Sequence, residues 1–161
     1  MTMKSLMPLL FAALLALPAV AQDKGGAAPA DNMQILREKL KADKKLLVAA
    51  NMQLTEAEAK GFWPIYDDYQ KTLFKLNDQI AMLLVDYAKH YNDGKLTDVK
   101  ARALLDQSFA IEESELKAKR AFVPRLAKVL PGQKVARYMQ LENKVRALVK
   151  YEIAGEVPLA Q

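Results

Sequence analysis

Among the side chains of this chain that could act as acids, bases or ligands, carboxylates are the most numerous, and two pairs are adjacent in sequence: Asp67-Asp68 and Glu112-Glu113. A general acid and a general base must converge on one substrate. Neighbouring helix positions instead diverge by about 100° around the axis, so neither pair is arranged for that work. His90 is the single histidine, and there is no cysteine. A metal site at His90 would have to borrow Asp86 or Asp93, and an imidazole in the last turn of a helix is better explained by its interaction with the free carbonyls there. Without thiols the chain has no disulfides, thiol nucleophiles or thiolate metal ligands. Met33, Met52, Met82 and Met139 are scattered and form no methionine-rich copper motif; they read as core gap-fillers. No glycine-rich phosphate loop, nucleophile elbow or Ser/His/Asp set is present. The expectation is a protein without catalytic residues, metal or cofactor, and therefore not an enzyme.

Charge is the next source of recognition chemistry. The chain carries 24 basic and 19 acidic residues, a net charge of +5. The surplus is uneven. Residues 22–97 hold 11 of each sign, whereas residues 98–153 hold 12 basic and 7 acidic. A basic surplus suits nucleic acid, anionic lipid or acidic polypeptide. The densest part of it, Lys117, Lys119, Arg120, Arg125 and Lys128, surrounds Phe122. These six residues are the candidate partner-binding positions, with an ordinary solvated helix face, or core in the case of Phe122, as the plainer alternative.

The elements that must position these groups are helical. Thr55-Glu56-Ala57-Glu58 is a capping box, in which the Thr55 hydroxyl accepts from the Glu58 N–H and the Glu58 carboxylate accepts from the Thr55 N–H. Apolar residues then recur at Phe62, Tyr66, Tyr69, Leu73, Leu76, Ile80, Leu83 and Tyr87, alternating by four and three, until Asn92-Asp93-Gly94 stops the helix. Phe62-Trp63 beside Pro64 reads as core packing. A third helix opens on Thr97 as cap and Asp98 as first acid. Its seam is Leu104, Ser108, Ile111, Glu115, Ala118 and Phe122, and Pro124 breaks its last turns, so that Leu126 to Leu130 should be a bent continuation. A fourth helix should begin near Gln133, after Leu130-Pro131-Gly132, carry Val135, Tyr138, Val145, Leu148, Val149 and Ile153, and close at Gly155. A shorter first helix should start after Asp31 or Asn32 and end near Ala50. No segment alternates with period two over strand length. The expected fold is all-α, with about four helices, two or three of them long, arranged as antiparallel hairpins in an elongated body.

The start of the chain reads as a secretory signal. Lys4 precedes an apolar run from Leu6 to Leu17, and Ala19-Val20-Ala21 supplies small residues for cleavage. The run is shorter than the roughly 20 residues a spanning helix needs. The expected organisation is a signal peptide at 1–21, a Gly/Pro-bearing leader at 22–30 and one helical domain at 31–161, located in the periplasm.

Leu54-Thr55-Glu56-Ala57-Glu58 resembles the Leu-Thr-x-x-Gln signature of the Spy/CpxP-like periplasmic proteins, which carry the signature twice, each copy heading a helix. A second copy would fall at Leu130. Phe62 follows Leu54 by eight residues, as Tyr138 follows Leu130. Glu58 replaces the signature Gln; at the second site Pro131 replaces Thr, and Lys134 stands where Gln would be. The resemblance covers most of the chain after residue 21. It implies an exported, all-helical protein of the envelope stress response. Members include ATP-independent chaperones and inhibitors of a sensor kinase. The metal-sensing branch depends on His and acid ligands that this chain lacks.

The combined expectation is a protein that holds unfolded polypeptides without ATP, through apolar patches ringed by basic side chains. The alternatives are a regulator docking on the periplasmic domain of a sensor, and a structural or lipid-surface helical protein. Expected partners are unfolded or partner proteins and a second copy of the chain. Nucleic acid is not expected, and a membrane would be touched at its surface rather than spanned.

Overall fold

The computed structural model describes residues 42–160. The signal peptide and leader read at residues 1–30, and the start of the first helix, lie outside the described residues. Four helices follow in order: α1, described over residues 42–52; α2, Glu56–Asn92; α3, Asp98–Leu126; and α4, Gly132–Glu156. No strand occurs among the described residues. The all-α expectation holds.

Each boundary has a local cause. Thr55 caps α2 as the capping box requires, with the Glu58 N–H 3.3 Å from its hydroxyl and its own N–H 2.8 Å from the Glu58 carboxylate. Gly94, with a φ of 64°, ends the chain's turn out of α2 in a conformation that costs glycine little. Thr97 caps α3, accepting from the Lys100 N–H at 3.3 Å. The helix outlasts Pro124 by two residues; Ala127 to Val129 then turn rather than continue it, with the Val129 and Leu130 N–H groups both donating to the Leu126 carbonyl. The fourth helix starts without a side-chain cap, on Pro131, whose fixed φ suits the entry. It runs one residue past Gly155, the expected stop.

Cross-helix pairs establish the topology. Asp68 and Asp86 of α2 meet Arg125 and Lys100 of α3, so the two helices are antiparallel. Glu115 and Glu112 of α3 meet Arg146 and Lys150 of α4, again antiparallel. Lys44 and Lys45 of α1 reach Gln70 and Asp67 of α2, a third antiparallel relation closed by the three-residue link 53–55. The helices therefore alternate in direction along the chain. With 37 residues, α2 is roughly 56 Å long and is the spine of the molecule.

The main core gathers at one end. Val48 and Met52 of α1, Phe62, Tyr66 and Tyr69 of α2, Phe122 and Leu126 of α3, Leu130, and Val135 and Tyr138 of α4 form one buried cluster. Its aromatic rings meet edge to face or tilted, Phe62 on Tyr138 at 5.1 Å and Tyr69 on Phe122 at 4.8 Å. Phe62 and Trp63 are part of this packing, while Pro64 beside them is exposed. Close approach is enforced at Gly61, where an added Cβ would lie 2.8 Å from Val129 Cγ1, so the α3–α4 turn rests directly on the α2 backbone. Towards the far end, burial thins to Leu76, Leu104 and Ile111, and α4 has no buried residue after Glu142.

Candidate binding face

Among the described residues, two charged side chains are buried in the bundle, Glu115 and Glu142. Glu142 receives Lys44 Nζ at 2.8 Å and Gln70 Nε2 at 2.9 Å, while Lys44 also donates to Gln70 Oε1 at 2.8 Å. This ring ties α1, α2 and α4 together. Glu115 receives Arg146 Nε and Lys119 Nζ, each at 2.9 Å, and Arg146 also donates to Asn77 Oδ1 at 2.7 Å. Burial works to raise the pKa of Glu115, but the hydrogen bonds from Lys119 and Arg146, together with their charges, outweigh it and hold the carboxyl below its ordinary range. A cavity of about 60 Å³ separates the two clusters, bordered by Tyr69, Asn77 and Val145 among others. Every carboxylate here is matched by a cation or an amide, which is a structural arrangement.

The adjacent acids diverge, as helix geometry demands. Asp67 pairs with Lys45 on α1 and Asp68 with Arg125 on α3; Glu112 pairs with Lys150 on α4, while Glu113 faces solvent. His90 Nδ1 lies 2.8 Å from the Asp86 carbonyl one turn back and 3.1 Å from the Asp86 carboxylate, which also holds Lys100.

The six candidate binding residues separate into two groups. Lys117, Arg120 and Lys128 are exposed. Lys119 is half-buried against Glu115, and Arg125 is tied to Asp68 at 2.8 Å. Phe122 is corrected outright as an apolar contact: it is only 7% exposed, packs on Tyr69 and carries the Arg125 guanidinium 4.6 Å above its ring. It belongs to the same seam as Leu104, Ile111 and Glu115, and that seam faces the core.

The apolar component of the face lies elsewhere on α3. Leu105, Phe109, Leu116 and Val123 are 52%, 53%, 52% and 38% exposed. Their spacing of four, seven and seven keeps them on one stripe, rotated away from the buried seam. This stripe was missed in the sequence reading because each of its members lies within two residues of a seam position. The signal was present as a second heptad, Phe109, Leu116 and Val123, beside the first. Lys117 and Arg120 are exposed near it, and so are Glu112 and Glu113, so the apolar groups stand among charges of both signs, with different apolar members from the one expected.

Compared with protein-family models, with curated proteins and with solved structures, the chain matches none.

Proposed function

We propose that this chain is an ATP-independent holding protein of the cell envelope, which binds unfolded polypeptides on the outer face of α3. The observation that carries the reading is the stripe of Leu105, Phe109, Leu116 and Val123, large apolar side chains left in solvent along one helix and flanked by the exposed bases Lys117 and Arg120. Four large apolar side chains exposed along one helix face, with charged residues between them, are the kind of surface that polypeptide-binding sites use. An unfolded segment offers apolar groups and acids without a fixed shape, and a shallow helical face with separate apolar and basic elements can receive many such segments weakly. The signal-like start at residues 1–21 supports placement outside the cytoplasm, and the partial Leu-Thr-x-x-Gln signatures at Leu54 and Leu130 support kinship with the Spy/CpxP-like proteins.

Light scattering of a chemically denatured client diluted into buffer, with the purified protein and no nucleotide, tests this. Suppression of aggregation that weakens as salt rises is the expected result. Failure to suppress the aggregation of several unrelated clients would refute the holding function.

A further inference from the structure

The cavity between the two buried clusters is unevenly charged. Lys44 of α1, Lys119 of α3 and Arg146 of α4 border it, against the two carboxylates Glu115 and Glu142, so among the described residues its lining has one positive charge in surplus. The acceptors there are already occupied. Glu142 receives Lys44 and Gln70 on its two oxygens, Glu115 receives Lys119 and Arg146 on its own two, and Asn77 Oδ1 receives Arg146. Donors remain, because an ammonium carries three N–H groups and a guanidinium five, more than these contacts use. Tyr69, only 1% exposed, borders the same cavity, and its hydroxyl has no hydrogen-bond partner among the described residues. Burial, ahead of any neighbouring charge, pushes the pKa of that hydroxyl up, so at neutral pH it keeps its proton and can donate.

We infer that this cavity is a binding site for one small monovalent anion, of the size and charge of chloride. Its volume of about 60 Å³ is several times the roughly 10–15 Å³ that one water needs, so a halide fits. A water in the same place would have to donate its two hydrogens to oxygens that already accept. A halide only accepts, from Tyr69 Oη and from the spare N–H groups of Lys44, Lys119 and Arg146. It also balances the surplus charge where little solvent is present to do so. Leu73, Val145 and Val149 complete the wall with apolar groups, which compete for none of these bonds. All four helices contribute to the lining, and α4 has no buried residue after Glu142. A bound anion would therefore tie the helices together where the dense core gives way to the thinner far end. A ligand held by the folded chain alone stabilises it, so the stability of the fold becomes linked to chloride, independently of any holding function.

Urea unfolding in sodium chloride and in sodium gluconate tests it. Gluconate is too large for the cavity, and equal ionic strength removes the difference in screening. The expected result is a wild-type midpoint that rises with chloride and then saturates. Tyr69→Phe, with its helices verified by circular dichroism, should be at least as stable as the wild type in gluconate. It should need about tenfold or more chloride for the same rise, the loss expected for one hydrogen bond to a charged group. Val145→Leu fills the cavity from an apolar wall and leaves every donor in place; it should abolish the rise. Crystals soaked in sodium bromide should show an anomalous peak within hydrogen-bonding distance of Tyr69 Oη. Equal wild-type midpoints in the two salts, an unchanged chloride response in Tyr69→Phe, or a cavity without bromide would each overturn the inference, and in the last case the space holds water alone.

Discussion

Glu115 on α3 and Arg146 on α4 form an ion pair inside the bundle, with Arg146 Nε donating to the carboxylate at 2.9 Å and both side chains largely shielded from water. Removing one member of a buried pair costs about 3 kcal/mol where the other is left charged and unpartnered, and less where a second cation remains. Lys119 still holds Glu115 at 2.9 Å once Arg146 is gone, so Arg146→Leu should lower the urea midpoint by less than that full penalty. Adding Glu115→Leu should recover most of the loss, since an apolar pair needs no compensation. A double variant as unstable as the sum of the single ones would show that the two residues act independently.

The same chemistry sets the pH range of the fold. Hydrogen bonds from Lys134, Arg125 and Lys100 hold Glu58, Asp68 and Asp86 below their ordinary values of 4.5, 3.8 and 3.8, and Glu115 is lowered as well. A carboxyl whose pKa is lower in the folded than in the unfolded state stabilises above its ordinary value and loses that contribution as pH falls. Tyr66, Tyr69 and Tyr138 shift the other way, pushed above their ordinary 10.0 chiefly by burial. Their contribution is complete below about pH 10 and is lost as pH rises beyond it, because the unfolded chain then ionises first. Urea midpoints measured across pH should be level between roughly pH 5 and pH 9 and fall on both sides. A stability that increases below pH 4 would contradict the sign on the acid side.

Thr55→Ala removes the side-chain half of the capping box and should destabilise by about 1 kcal/mol. Glu58 serves both the Thr55 N–H and Lys134 Nζ, 2.6 Å away, so the head of α2 is also fastened to α4. Glu58→Ala should then cost more than Thr55→Ala in the same denaturant titration. Equal losses would mean that the Lys134 bridge contributes nothing.

Two buried tyrosines differ in how their hydroxyls are placed. The Tyr138 oxygen accepts from Gln70 Nε2 at 3.2 Å, whereas the Tyr69 oxygen has no hydrogen-bond partner among the described residues. Tyr138→Phe should cost about 1 kcal/mol, and Tyr69→Phe should be neutral or stabilising, since it deletes an unsatisfied polar atom. Thermal melts of the two variants compare them directly. A larger loss at Tyr69 would place an ordered water on that hydroxyl, in the cavity it borders.

What was legible in the sequence is what local chemistry determines. The Thr55 and Thr97 caps, the Gly94 stop and the seams of α2 and α3 all follow from short spacings, and the helices formed where those spacings placed them. Glu115 was visible on its seam as an acid in an apolar row. Its partner Arg146 was not, nor was the ring of Lys44, Gln70 and Glu142, because partners 26 to 98 residues apart in sequence are joined only by the way whole helices pack. The misplacement of Phe122 has a sharper cause. Its basic neighbours suggested exposure, but its position on the seam determined burial, and the exposed apolar group lay one residue on, at Val123.

We propose that the outer face of α3 holds unfolded chains. The most direct measurement compares aggregation suppression by the wild type and by Leu105→Ser/Phe109→Ser, in low and high salt. Both residues are about half exposed, so the variant should keep its helices and most of its stability. The wild type should suppress aggregation of a denatured client without nucleotide, and the variant, at equal helix content, should lose most of that suppression. Full suppression by the variant would rule out the outer face of α3 as the holding surface and would place any client site elsewhere on the molecule.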